Sequence, residues 1–506
     1  MLMTGAACLG SSIAMAACSV SGSDSSTTSE TLRIVLPQEP PTLEACESTL
    51  TSTGVVVRSN ITEPLVEREP TSGDLDPRLA TEWKQTSDNV WAFTLRDGVK
   101  FTDGEAFNAA AAKAAIDRAV NSDIGCNVDG YVFGDDDLKV TATDDTTLTV
   151  ETVTPDPILP LRMSFVEIVS PKTDPAKKVR EPIGTGPYKI AKWNAGQSLL
   201  LDRNADYWGE KPAYAKAEYQ WRTEGTVRAA MLTNKETDLA VGLGPDDGAA
   251  DQGVSYPNNE TTALRFNGED APLDDIRVRQ AINYAIDKDN IVKSLFKGLG
   301  KPAGQLVPPG VVGHNDALKP WPYDLAKAKS LVAEAKADGV PVDKEIKLIA
   351  RNAQFPKVSE TAEVLQNSMA KAGLNVKLEM VDTSAHLEYQ LRPFVKDAGP
   401  VALLIMHGNQ AGDAQFTVDQ YMGSKGAQSI FGTPELDKML KDDGMKSGDE
   451  RQSAYADLLT YQNDKVTQFA TIAHMSGVMG IAKSVAYKPN SASADELQLS
   501  EVAPSK

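Results

Sequence analysis

Cysteine and histidine are scarce in this chain, with four of each in 506 residues. No C-x-x-C pair and no H-E-x-x-H motif occurs, which excludes a zinc ribbon, a thioredoxin-type redox centre and a zincin helix. Positive charge is also short: 51 Lys and Arg stand against 70 Asp and Glu, for a net charge of −19. A nucleic-acid binder needs a basic footprint, and none is present; the acidity reads as solubility, with steering of cationic ligands as its other use. Missing too are a G-x-S-x-G elbow, metal-ligand spacing and a phosphate-cradling glycine loop, so no catalytic set supports an enzyme. What remains is ordinary globular material, 41% apolar and 24% charged, long enough for two or more domains.

The first eighteen residues, MLMTGAACLGSSIAMAAC, contain no acid or base. This apolar stretch is too short for a stable membrane span and reads as the hydrophobic part of a secretory signal. Met15 to Cys18 (MAAC) resembles a lipobox, which makes Cys18 the expected lipidation site. Residues 19–30 follow as a polar Ser/Thr/Gly tether. Export permits a lasting disulfide, and Cys46 with Cys126 is the expected pair, with two separate buried thiols as the alternative.

Along the body, Thr31 to Pro37 reads as a strand. The segment 73–107 holds two strands with Asp-Gly turns. Asn108 to Val120 is a helix with Asn108 as its cap. The second half alternates: a helical period over Asp274 to Phe296, an amphipathic helix over 323–339, the strand EIKLIA, a helix over 359–373 with a glycine stop, the strand NVKLEMV, the strand PVALLIM, and a helix capped by Thr433. This alternation predicts α/β units with a mainly parallel sheet.

Five blocks in this order carry a resemblance. They are NITEPLVEREPTSGDLDPRLATEWKQTSDNVWAFTLRDGVKFTDGEAF, IGTGPYKIAKWNAGQSLLLDRNADYWG, APLDDIRVRQAINYAIDKDNIV, YDLAKAKSLVAEA and AEVLQNSMAKAGLNVKLEMV. Together they resemble the extracytoplasmic solute-binding proteins of peptide/nickel-type ABC importers, family 5, over about residues 31–490. The resemblance implies an α/β, two-lobed periplasmic-binding-protein clamshell of the class II type with an extra subdomain inserted in lobe I. The implied organisation is signal 1–18, tether 19–30, lobe I over 31–265 with the insert at about 76–183, lobe II over 266–471, and a return to lobe I over 472–506. Hinge crossovers are expected near Thr261 to Asp270 and Val466 to Ser476. The implied partners are a small-molecule or short-peptide ligand and the ABC permease subunits. The chain is expected to be a monomer that meets the membrane only through its lipid anchor, without nucleic acid, cofactor or resident metal.

Within the shared blocks most residues read as structural. Gly184 and Gly186 are expected to shape a backbone turn, Tyr207 and Trp208 to pack in a core, and Arg277 and Arg279 to bridge to Asp274 or Asp275. The site is expected at LLIMHGNQAGDAQF (403–416), where an apolar strand opens into small polar residues. The candidates are His407, Gly408, Asn409, Gln410 and Asp413, joined by Arg351 after the strand EIKLIA as a partner for a ligand carboxylate. Peptide-binding relatives place here a pattern like W-x-x-D-x-x-D/E-P, whose first acid pairs with the ligand ammonium. An ungapped overlay puts Gln410 at that acid and Asp413 at the second; a gap would make Asp413 the pairing acid. The first register implies a nearly uncharged mouth, and a ligand without a free ammonium there: a capped peptide, a glycan-like molecule or a chelate.

Overall fold

A computed structural model describes residues 30–505 apart from 50, 135, 494 and 495. The lipobox with Cys18 and nearly all of the tether lie outside the described residues. No helix among the described residues is long and apolar enough to cross a membrane.

Two lobes share one eleven-stranded sheet. Its order is Val376–Val381, Ile346–Arg351, Val401–Gly408, Gly253–Phe266, Phe469–Ile481, Leu239–Leu243, Thr31–Leu36, Lys216–Trp221, Ser198–Arg203 and Tyr188–Asn194, with the short Lys301–Pro302 added to Phe469–Ile481. Thr31–Leu36 and Ile346–Arg351 are parallel to both of their neighbours. Every other pairing in the sheet is antiparallel. The expectation of a mainly parallel sheet is therefore corrected. Two long strands, Gly253–Phe266 and Phe469–Ile481, cross between the lobes in opposite directions, and the first lobe ends in a hairpin rather than a helical crossover.

The strand Gly253–Phe266 begins ahead of the expected first hinge at Thr261, and its pairing with Phe469–Ile481 is broken between Pro257 and Thr261. Proline has no amide proton to give the ladder, and Asn259 adopts φ +54°, so the strand cannot run straight here. This break matters for the site described below.

In lobe I, Leu32, Ile34, Phe93, Tyr188 and Tyr219 share a buried core with Leu497, Leu499 and Val502 from the C-terminal tail. A separate four-stranded antiparallel sheet over Ala80–Glu151 joins this core with the helix Ala109–Val120. The Asn108 side chain accepts from the Ala111 amide and so caps that helix. Cys46 and Cys126 are joined as a disulfide with 5.3 Å between Cα atoms. In lobe II, Ala402 and Leu404 face one apolar cluster, while Leu403 and Ile405 face another. A strand covered on both faces needs such a continuous apolar run.

Several local readings change. The period over Asp274 to Phe296 is two helices, Ile276–Ala285 and Lys288–Ser294, because Asp287 caps the second by accepting from the Asn290 amide at 3.0 Å. Gly184 and Gly186 have no positive φ; a Cβ on either would strike the backbone of residues 60–62, so close chain approach is the reason for glycine. Tyr207 and Trp208 do more than pack, since both donate to the buried carboxylate of Glu63, at 2.7 and 2.8 Å. Arg277 pairs with Asp275 at 2.7 Å, but Arg279 donates to the carbonyls of Leu273, Asp274, Val466 and Thr467 instead of an acid.

Candidate functional site

A cavity of about 280 Å³ opens where the crossover strands break. Lobe I supplies Leu36, Pro37 and Gln38 from the end of the first strand, Ser52 and Val55 from the helix Thr51–Val57, and Val241 and Gly242. The crossovers supply Tyr256, Asn258, Glu260 and Gly477, and lobe II supplies Gln410. A larger hollow of about 540 Å³, around Glu39, Thr42, Lys178 and Trp193, takes no residue from lobe II. The interlobe cavity is the candidate site because strand ends, both lobes, the break in the crossover strands and convergent polar groups meet there.

The expected site residues separate into three groups. Gln410 lines the cavity. Gly408 lies behind it: a Cβ there would strike the Gln410 amide. The Gln410 carbonyl is tied to lobe I, because it accepts from the Arg68 guanidinium, which also donates to the Ala492 carbonyl.

His407, Asn409 and Asp413 sit beneath the mouth instead of lining it. His407 is 8% exposed, with its ring edge-on to Tyr421 at 4.5 Å between centroids. Its Nε2 is 2.7 Å from Thr417 Oγ1, and that hydroxyl gives its one proton to Asn409 Oδ1 at 2.6 Å. The imidazole is therefore the donor in the first bond, with a proton on Nε2. Burial pushes its pKa down to about 3. Asn409 closes the chain by donating to the carbonyls of Leu306 and Asn259. Asp413 is gripped by Arg451 through two bonds of 2.7 Å, and both residues are 2% exposed. It also accepts from the Gln415 amide at 2.9 Å. A carboxylate so engaged holds the loop and the helix Gly448–Tyr461 together; it is not offered to the cavity.

Arg351 is not brought to this site. It ends its strand beside Val381, near enough to His386 to help hold that imidazole's pKa down, after burial.

Of the lining residues only Gln410 was among the sequence candidates; the hydrogen-bonded pair Asn258 and Glu260 was not. Glu260 is half-buried and lies across the sheet from Gly408, and its Oε2 accepts from Asn258 Nδ2 at 2.7 Å. The mouth is thus not uncharged, which corrects the expectation drawn from residues 403–416 alone. A local signal lay in SYPNNETTALRF, where proline and two asparagines mark a break in the strand, but which way the break turns Glu260 depends on the distant partner strand. Among the described residues no three of His, Cys, Asp and Glu converge on a metal-binding point.

A profile of the family described as bacterial extracellular solute-binding proteins, family 5 Middle, matches residues 74–429. The nickel-binding periplasmic protein of Escherichia coli (strain K12) is 27% identical over 491 residues, covering 89% of this chain and 90% of the relative. The dipeptide-binding protein of the same organism is 29% identical, covering 64% of this chain and 66% of the relative. Among solved structures, the substrate-binding protein CtaP from Listeria monocytogenes has a TM-score of 0.81 at 21% identity, covering 94% of this chain and 99% of that one. The DppA protein from Helicobacter pylori in complex with the peptide STSA has a TM-score of 0.76 at 22% identity, covering 94% and 98%.

Proposed function

The chain belongs to the bacterial extracellular solute-binding proteins of family 5, and from that premise we propose that it is the lipid-anchored substrate-binding component of an ABC importer. It captures a short peptide or peptide-like solute between its lobes and presents the closed form to a permease. The observation that carries this reading is the cavity itself, built from both lobes at the break in the two crossover strands. Ligand contacts there bear on the relative placement of the lobes, so binding favours closure. The lobes also meet beyond the cavity: Phe416 of lobe II packs on Phe165 with 6.2 Å between centroids and lies under the Arg162 guanidinium at 4.9 Å.

The cavity is small against the roughly 300–1,000 Å³ usual for small-molecule sites, which suits a short ligand. A metal chelate is the second reading, favoured by the relative with the nickel-binding name. None of the four histidines lines the cavity, so a metal cargo would have to arrive with most of its own ligands.

Native mass spectrometry of the protein as purified tests the reading. A bound mass in the short-peptide range, lost on unfolding, is the expected result; a metal-bearing adduct would favour the chelate, and a sugar mass would overturn both. The anchor is tested separately with Cys18→Ala, which should move the protein from the membrane fraction to the soluble one.

A further inference from the structure

We propose that Glu260 is the cation-recognition residue of the interlobe cavity, and that the preferred ligand is a monocation: an apolar amine, or a peptide whose ammonium is enclosed while its carboxylate is masked or left outside. This rests on the binding reading above and narrows it.

Three observations lead there. Glu260 is the one charged side chain among the described residues that line the cavity, whose other walls are largely apolar: Leu36, Pro37, Val55, Val241 and Tyr256. Its carboxylate is oriented by the amide of Asn258, two residues earlier on the same broken stretch of strand. The two acids or bases that sequence reading would have assigned to ligand charges are elsewhere, with Asp413 locked to Arg451 and Arg351 outside the cavity. An ammonium enclosed beside Glu260 keeps a counter-charge and gains a charge-assisted hydrogen bond. Among the described lining residues, a carboxylate enclosed in the same space would meet no cationic side chain and one like charge, which is a desolvation cost without compensation. The cavity should therefore discriminate by charge: amine over acetamide, and amide-terminated peptide over the zwitterion. The chain's net charge of −19 acts in the same direction by drawing cations toward the protein.

The test is calorimetric titration with leucyl-phenylalanine amide, its N-acetyl form and zwitterionic leucyl-phenylalanine, using wild type, Glu260→Gln, and the double variant Glu260→Gln/Gln410→Asp. Wild type should favour the amide-terminated free amine over both other probes. Glu260→Gln should weaken that probe by about ten- to a hundredfold, the worth of one charge-assisted bond. The N-acetyl form should bind both proteins alike. The double variant returns a carboxylate to the cavity at Gln410, which also lines it, and should recover part of the loss. If Glu260→Gln fails to fold, Gln410→Asp alone should still strengthen binding of 1,4-diaminobutane. Equal binding of the amine and N-acetyl probes by wild type, or an unchanged affinity in Glu260→Gln, overturns the assignment to Glu260 but leaves the binding reading intact. Failure of wild type to bind any amine probe also overturns it, and the mass spectrum of the purified protein then decides the binding reading by itself.

Discussion

Asp413, in the loop after one strand of the sheet, and Glu260, on the adjoining strand, are neighbouring acids, yet their surroundings differ. Asp413 is 2% exposed, follows the strand Val401–Gly408, and receives two bonds from Arg451. Glu260 is half-buried, sits on the adjoining crossover strand, and takes an amide proton from Asn258 at the cavity wall. An acid in the loop at a strand's mouth is thus a framework element, and the acid one strand away is presented to the cavity. Proximity in sequence to a site says less than which way a broken strand turns its side chains.

The largest effect that separates these roles is on folding. Asp413→Asn leaves the Arg451 guanidinium buried without its counter-charge, and removal of one member of such a pair costs about 3–5 kcal/mol. Urea titration should show that loss for Asp413→Asn and a smaller change for the half-buried Glu260→Gln, whose side chain keeps its size and its hydrogen-bonding oxygen. A stable Asp413→Asn protein that has lost ligand affinity would reverse the two assignments.

That reversal was one of the two registers the sequence left open, and the reason is physical. The strand run Leu403 to Met406, the cap at Asn108, the five shared blocks and the α/β class all rest on local periodicity or on patterns of adjacent residues, and these were legible. Whether Asp413 is free depends on Arg451, 38 residues away. Whether Glu260 reaches the cavity depends on a break in pairing with a strand more than 200 residues later. Mixed strand directions were missed for the same cause: alternating strands and helices constrain neighbours in sequence, while the two long crossovers are partners across the chain.

The next effect tests whether framework interactions in lobe I are as remote from binding as Asp413. Cys46 and Cys126 close a loop of 80 residues beside the buried pair of Glu44 and Arg118, and neither cysteine lines the interlobe cavity. Replacing both cysteines with serine should remove about 2–4 kcal/mol of stability. Ligand affinity of the folded fraction should be unchanged. A matching drop in affinity would show that the disulfide shapes the cavity through the helix Thr51–Val57.

An effect that is smaller for each pH unit comes from the neutral wall behind the mouth. His407 is held near a pKa of about 3 by burial, well below its ordinary 6.5. His474, bonded to Thr261 on the crossover, is likewise pushed to about 3, first by burial and then by His314 and Lys301. A group whose folded pKa is depressed this way contributes stability fully above pH 6.5. The contribution falls as pH drops from 6.5 toward 3, because the unfolded chain takes up the proton first. The slope is at most about 1.4 kcal/mol per pH unit for each histidine. Urea midpoints at pH 7, 6, 5 and 4 should decline accordingly. Imidazole resonances of His407 that titrate near 6.5 in the folded protein would contradict the neutral wall.

The smallest effect concerns Gln410, the residue on which the sequence reading placed most weight. Its link to lobe I runs through its carbonyl and Arg68, so it survives removal of the side chain. The residue lines the cavity without a charge, and a neutral hydrogen bond contributes about 0.5–1.5 kcal/mol. Gln410→Ala should therefore weaken binding of an amine ligand by about tenfold or less, well short of the loss expected for Glu260→Gln. Gly408→Ala offers the complementary probe, because its new Cβ would displace the Gln410 amide without removing any of its atoms. The two variants should then share one modest phenotype in calorimetric titration with leucyl-phenylalanine amide. A Gln410→Ala loss as large as that of Glu260→Gln would move the recognition of the ligand's charged end back to the loop, and with it the register that the ungapped overlay proposed.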